Sequence, residues 1–209
     1  MQFARIGSIA WSFRRELSAS FGVMAVLVLL PIFATLGLLN NNSRAVSDAI
    51  ISVNPVTHKV EVRGPSGKVI AVIDATTTWP MRGVITQEFG VPNLPYQKAH
   101  SGIDIDGGLG KPISAVMAGT VSHAGGNSES CGSHCVHVDH GHNITSVYAH
   151  MRSHFVKVGQ KVKPGDALGE QGEEGWADGD HLHFEIRVGG IPVNPRSFLI
   201  GNPQPEVRE

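Results

Sequence analysis

From residue 110 onward, short Val/Ile-rich runs alternate with Gly- and Pro-rich turns, and no long helical period interrupts them. Val136 to Asp139, Ile144 to Ala149, Val156 to Val158 and Phe184 to Val188 are four such runs. The pattern predicts an antiparallel all-β core. At 209 residues, 41% hydrophobic and 17% charged, the chain is long enough for one well-buried core with appendages, and its composition is globular and not disordered. A formal net charge of -1, with no basic cluster interleaved with aromatics, excludes nucleic acid as a partner.

On such a scaffold the spacing of certain polar residues becomes chemical. Successive strand residues face opposite ways, so positions two or four apart share a face. His181 and His183, in the run His181-Leu182-His183-Phe184-Glu185, therefore project together. The same holds for His100 and Asp104, where Gly102, Ile103, Ile105 and Gly107-Gly108 favour a short strand. Zinc binds His nitrogen and Asp oxygen, and catalytic zinc sites usually keep three protein ligands with the fourth position open to water. His100, Asp104 and either His181 or His183 complete such a set for one zinc ion. The helical His-Glu-x-x-His arrangement is absent, so the proton acceptor must come from elsewhere. His150, in Tyr148-Ala149-His150, and the remaining member of the later pair are the candidates. Glu185 shares the face of His183, as a base, an orienting partner of a ligand, or a salt-bridge partner of Arg187.

Several stretches carry a family resemblance in order: Trp79-Pro80 to Phe89-Gly90, His100 to Asp104, Pro112-Ile113 to Gly119-Thr120-Val121, Val138 to Gly141, Tyr148 to His150, Gly165-Asp166 to Gly169, and His181 to Glu185 running on to Pro192-Val193-Asn194-Pro195. In these the chain resembles the lysostaphin and LytM type of zinc metallopeptidases, bacterial endopeptidases that cut peptide bonds in peptidoglycan stems or bridges. By position, His100, Asp104 and His183 resemble that family's zinc ligands, and His150 and His181 its two catalytic histidines. Some relatives have lost ligands and act only as activators of other wall hydrolases, whereas here all five positions are filled. The segment Gly175 to Asp180 departs from the loop the family often has there, which helps shape the substrate cleft. The resemblance implies a barrel-sandwich hybrid, a duplicated hybrid motif, for residues 79–200. Ala115 to Val121 and Val158 to Asp166 also resemble the half-motifs of biotinyl and lipoyl carrier domains, but Met117 stands between Val116 and Ala118 where a carrier needs lysine.

Phe21 to Leu39 is 19 residues without a charge, the length of a transmembrane helix. Arg5, Arg14 and Arg15 precede it, so residues 1–20 are expected in the cytoplasm and the remainder outside the cytoplasmic membrane. Leu38 to Ser43 offers no clean cleavage site, which favours a retained single-pass anchor over a removed signal peptide. Residues 40–78 read as a juxtamembrane linker with a hairpin, His58 to Arg63 and Lys68 to Ile73 around Gly64 to Gly67, packed on the main domain. Residues 201–209 form a tail.

Cys131 and Cys135, the only cysteines, are expected to form a disulfide in an exported chain; a second metal site from Cys131, His134, Cys135 and His137 is the competing reading. Of the eleven histidines, His140 is expected to bond backbone at a turn, and His58, His123, His142 and His154 to lie on the surface.

Overall fold

A computed structural model describes residues 43–64, 66–76, 78–92, 99–126, 131–175 and 177–204. The expected membrane span at residues 21–39 lies outside the described residues; among these, no helix is long and apolar enough to cross a membrane.

A helix α1 (Ser43–Ile50) leads into β1 (Ile51–Val53), β2 (Lys59–Arg63) and β3 (Val69–Asp74), which form a three-stranded sheet in the order β1-β2-β3. The expected hairpin is therefore present with an added strand. Its Val60, Val62 and Ala71 join the main hydrophobic core, and Thr76 exchanges backbone hydrogen bonds with Phe198 and Ile200 at 2.8 Å each. The helix was not legible in the segment expected to be linker, because eight residues barely cover two turns of apolar periodicity. It is held by packing, with Ser47 fully buried and its hydroxyl accepting the Asn194 N–H at 2.9 Å.

The remaining strands are β4 (Val84–Gln87), β5 (Ile103–Asp106), β6 (Pro112–Ser114), β7 (Gly119–Gly125), β8 (Cys135–Asp139), β9 (Ile144–Ala149), β10 (Met151–His154), β11 (Lys161–Val162), β12 (Ala167–Gln171), β13 (Leu182–Val188) and β14 (Ile191–Val193). An antiparallel sheet runs β11-β7-β8-β9-β13-β5-β4, with β14 paired to β13, and a second runs β10-β12-β6. The all-β expectation holds for this part of the chain. One run differs: Val156 to Val158 is no strand but the approach to a turn. Val156 is buried while Gly159, at φ 86°, turns the chain and donates its N–H to the Val121 carbonyl. The two half-motifs meet here, since Val121 also donates to Gln160, Ala115 to Asp166 and Gly165 to Ala115, at 2.8–2.9 Å.

The central strand β13 explains how the core positions a site. Leu182, Phe184 and Ile186 are fully buried on one face, against Tyr148, Ile103 and Ile105 in the main core cluster. Burying a side chain the size of Phe184 contributes about 1.5–3 kcal/mol over leaving it exposed. Because side chains alternate, fixing that face commits His183, Glu185 and Arg187 to the other. Tyr148 adds register: its buried hydroxyl accepts the Val116 N–H at 3.0 Å and the Ser146 hydroxyl at 3.2 Å, and burial pushes its pKa up to about 12.

Candidate metal centre

Strand pairing sets His183 of β13 directly opposite Asp104 of β5, with Ala149 of β9 on its other side. His100 sits in the segment just before β5, which Gly102 lets press against β13: a Cβ at Gly102 would collide with the Phe184 carbonyl. His150 follows β9, and His181 precedes β13, bridged to Gly172. Strand geometry thus gathers five residues from three segments of chain.

Each of the four imidazoles has one ring nitrogen tied to an oxygen acceptor, which leaves the other facing the centre. His100 Nδ1–H donates to the Glu88 carbonyl at 3.3 Å, and His183 Nε2–H donates to Glu185 Oε1 at 3.0 Å. His150 Nδ1–H donates to the Glu174 carbonyl at 2.6 Å, and His181 Nδ1–H to the Gly179 carbonyl at 2.9 Å. A carbonyl or carboxylate oxygen can only accept, so in the neutral ring the proton sits on the tied nitrogen and the inward nitrogen carries a lone pair.

Three inward atoms form a triangle. His100 Nε2 and His183 Nδ1 are 3.0 Å apart, His183 Nδ1 and Asp104 Oδ1 2.8 Å, and His100 Nε2 and Asp104 Oδ1 3.2 Å. Ligands bound to zinc at 2.0–2.2 Å with tetrahedral angles stand about 3.3 Å from one another, so the donor set fits one such ion. His181 Nε2 is set back, 3.8 Å from Asp104 Oδ1. The His150 and His181 rings meet edge-on, centroids 4.8 Å apart, and His150 lies 5.8 Å from the His183 ring. The spacing in the sequence left open which member of the later pair joins the set, and the triangle favours His183.

The electrostatics also call for a cation. Burial would raise the Asp104 pKa, but His100 and His183, once protonated at their inward nitrogens, donate to the carboxylate, and this outweighs burial and holds the carboxyl well below the usual range. Burial opposes charge on His183 as well, yet the Asp104 and Glu185 hydrogen bonds raise it to about 9. Two buried carboxylates therefore bracket one imidazole, and positive charge between them is stabilised. His150 has no such partner: burial lowers it to about 4, leaving it neutral near pH 7.

Glu185, read in the sequence as base, orienter or salt-bridge partner, takes two of these roles at once. It is 3% exposed and accepts from His183 Nε2, from Ser101 Oγ at 2.5 Å and from Arg187 Nε at 2.5 Å. Its carboxylate, raised by burial but lowered further by His183 and Arg187, titrates at about 2. Ser101, missed in the sequence, is the hydroxyl next to His100 that completes this grip. Glutamine at position 185 would keep the shape but offer a single acceptor oxygen to three donors. We expect Glu185→Gln to weaken metal binding by about 10–100-fold, measured by competition with a chromophoric chelator.

Cys131 and Cys135 are joined in a disulfide, with Cα atoms 5.7 Å apart. With His137 they form a second trio whose donor atoms lie within 4.8 Å of one another, but the bond between the sulfurs removes them as thiolate ligands. His134 turns instead to His154, Nδ1 to Nδ1 at 3.1 Å. His140 bonds the Ala118 carbonyl at 2.8 Å, as expected, whereas His123 and His154, expected on the surface, are half-buried against specific partners.

A β-sheet scaffold presenting a largely buried His/His/Asp triangle with two further histidines beside it defines a candidate metal centre. Residues 98–195 match the profile of Peptidase family M23. The catalytic domain of the prophage-encoded M23 protein EnpA from Enterococcus faecalis is 33% identical with a TM-score of 0.50, over 57% of this chain and 92% of that one. The chain belongs to peptidase family M23. It is 36% identical over 107 residues to the peptidoglycan DD-endopeptidase ShyC of Vibrio cholerae, covering 51% of this chain and 24% of that protein. It is 34% identical over 125 residues to the murein hydrolase activator NlpD of Escherichia coli, covering 60% and 31%. The chain thus spans about a quarter to a third of the length of these two curated relatives.

Proposed function

We propose that this chain is a zinc metalloendopeptidase that hydrolyses peptide bonds in the stems or cross-links of peptidoglycan. The observation that carries the reading is the convergence of Asp104 with four imidazoles, each oriented by a bond on its outer nitrogen. His100 Nε2, Asp104 Oδ1 and His183 Nδ1 would hold the ion. When bound, zinc supplies Lewis acidity toward a carbonyl oxygen and lowers the pKa of water to about 7.

His150 and His181 are the proton-handling pair. With Nδ1–H tied outward, both present only a lone pair at Nε2 while neutral. Neither can donate to a developing oxyanion or a leaving amine until it has taken a proton, so proton uptake from water precedes stabilisation of the oxyanion by these rings. The low pKa of His150 suits a transient carrier that returns its proton promptly.

The hydrogen-bonded meeting of Ala115–Val121 with Gln160–Asp166 supports reading the catalytic domain, residues 79–200, as a barrel-sandwich hybrid. The uncharged stretch 21–39 behind Arg5, Arg14 and Arg15 supports an inner-membrane anchor with the site on the periplasmic or extracytoplasmic side. Few residues of sequence separate that stretch from the first strand at Ile51, which favours work on wall close to the membrane.

A non-cutting role on the same fold is the second reading, favoured by the likeness to a protein named as a murein hydrolase activator. Incubating purified peptidoglycan sacculi with the purified full chain separates the two, with products read by mass. Release of newly cut stem peptides supports the endopeptidase, and intact cross-links despite bound zinc support the regulator.

A further inference from the structure

His150 adopts φ 62°, the left-handed region, without being glycine. Such a backbone persists only where its surroundings over-determine it. Two segments do so here. The His150 N–H donates to the Cys131 carbonyl at 3.2 Å, its Nδ1–H to the Glu174 carbonyl at 2.6 Å, and its carbonyl accepts the Glu174 N–H at 3.4 Å. The two segments also hold each other. Gly132, at φ 84°, lies so close to Glu174 that a Cβ would stand 2.6 Å from the Glu174 Cβ, and Ser133 Oγ donates to Glu174 Oε2 at 3.0 Å. His150 therefore sits in a collar made by residues 131–133 on one side and Glu174 on the other.

The disulfide ties that collar to the sheet. Cys135 begins β8, whose next residue Val136 pairs with Tyr148 of β9, two positions before His150. The bridge fixes Cys131 to this strand, and both cysteines pack with Val147 and Ala149 in a small apolar cluster of their own. Both are buried, at 8% and 0% exposure. Among the described residues, none of the side-chain hydrogen bonds or ion pairs of His100, Asp104 and His183 reaches the collar; those side chains meet Glu88, Ser101, Glu185, His181 and one another.

We infer that the Cys131–Cys135 disulfide is a positioning device for His150, setting its proton-accepting Nε2 toward the site while contributing nothing to metal binding. The inference rests on the reading of His150 as a proton-transfer residue. Opening the bridge lets the Cys131 carbonyl move and His150 relax from its left-handed backbone.

The test compares, in the full chain, the double variant Cys131→Ser/Cys135→Ser, His150→Ala and the triple variant. We expect one zinc per chain throughout and a kcat on sacculi lowered by about 10–100-fold in the double variant, since an ångström of misplacement at a reacting group costs on that order. In the His150→Ala background, removing the cysteines should cost nothing more, because residues acting as a unit are non-additive. A kcat within about twofold of wild type, an equal further loss in the triple variant, or loss of zinc on opening the bridge would each overturn the inference. Should the double variant fail to fold, a water-soluble phosphine applied to the native chain makes the same cut. The phosphine becomes its oxide using one water, and the two sulfurs leave as thiols carrying the two electrons and two protons. The His150 Nδ1 proton bonded to Glu174 supplies a readout independent of turnover: NMR should show it protected in the oxidised chain and exchanging on reduction. If the wild-type chain cuts nothing, the endopeptidase reading fails; if that proton is equally protected in both redox states, the positioning inference fails.

Discussion

Asp104→Ala protein carries no zinc and cuts no peptidoglycan, while remaining folded. The expectation follows from the triangle, because Asp104 Oδ1 stands 2.8 Å from His183 Nδ1 and 3.2 Å from His100 Nε2, and it is the anionic member of the set. Without it two imidazoles remain, short of the three protein ligands usual in a catalytic zinc site. The activity loss should reach at least about 10³-fold, equivalent to about 4 kcal/mol of transition-state stabilisation. His100→Ala and His183→Ala should behave alike. Metal content by atomic spectroscopy, turnover on sacculi and a thermal melt together check the result, and a fully active Asp104→Ala protein would sink the mechanism.

His150→Ala and His181→Ala are expected to separate metal from chemistry. Both rings stand beside the triangle and not in it, His181 Nε2 at 3.8 Å from the Asp104 carboxylate and His150 in edge contact with His181. Each variant should keep one zinc per chain with its affinity little changed. Turnover should fall by about 10²–10⁴-fold, the usual contribution of a positioned acid–base group. If both groups belong to one proton path, the double variant should lose little more than the worse single one. Zinc loss in either variant would instead make that histidine a ligand.

Much of this arrangement is legible in the amino-acid sequence. Period-two alternation placed His183 and Glu185 together, and the structure has both on the outward face of β13. Four-residue spacing brought His100 and Asp104 to one centre, although His100 reaches it from the segment that bends just before β5 and not from the strand itself. Period alone could not rank His181 against His183, because both aim at the site; the distinction is a matter of distance to Asp104, set by pairing with β5.

The features that escaped the sequence are long-range. The short strands β6 and β12 have too little apolar pattern to announce themselves and are held by pairing with each other and, for β12, with β10. His123 looked like a surface residue because nothing local shows that β7 sets it opposite His137. Likewise the collar on His150 joins Cys131 and Glu174 across 19 and 24 residues of chain, where no local spacing rule operates.

The most direct test of the central claim is to strip the purified full chain of metal and titrate zinc back while counting both bound zinc and cut peptidoglycan cross-links. The metal-free protein should be inactive, and cutting should rise in proportion to zinc until one ion per chain is bound, then level off. Undiminished cutting by the stripped protein, or one zinc bound with every cross-link intact, would contradict the account.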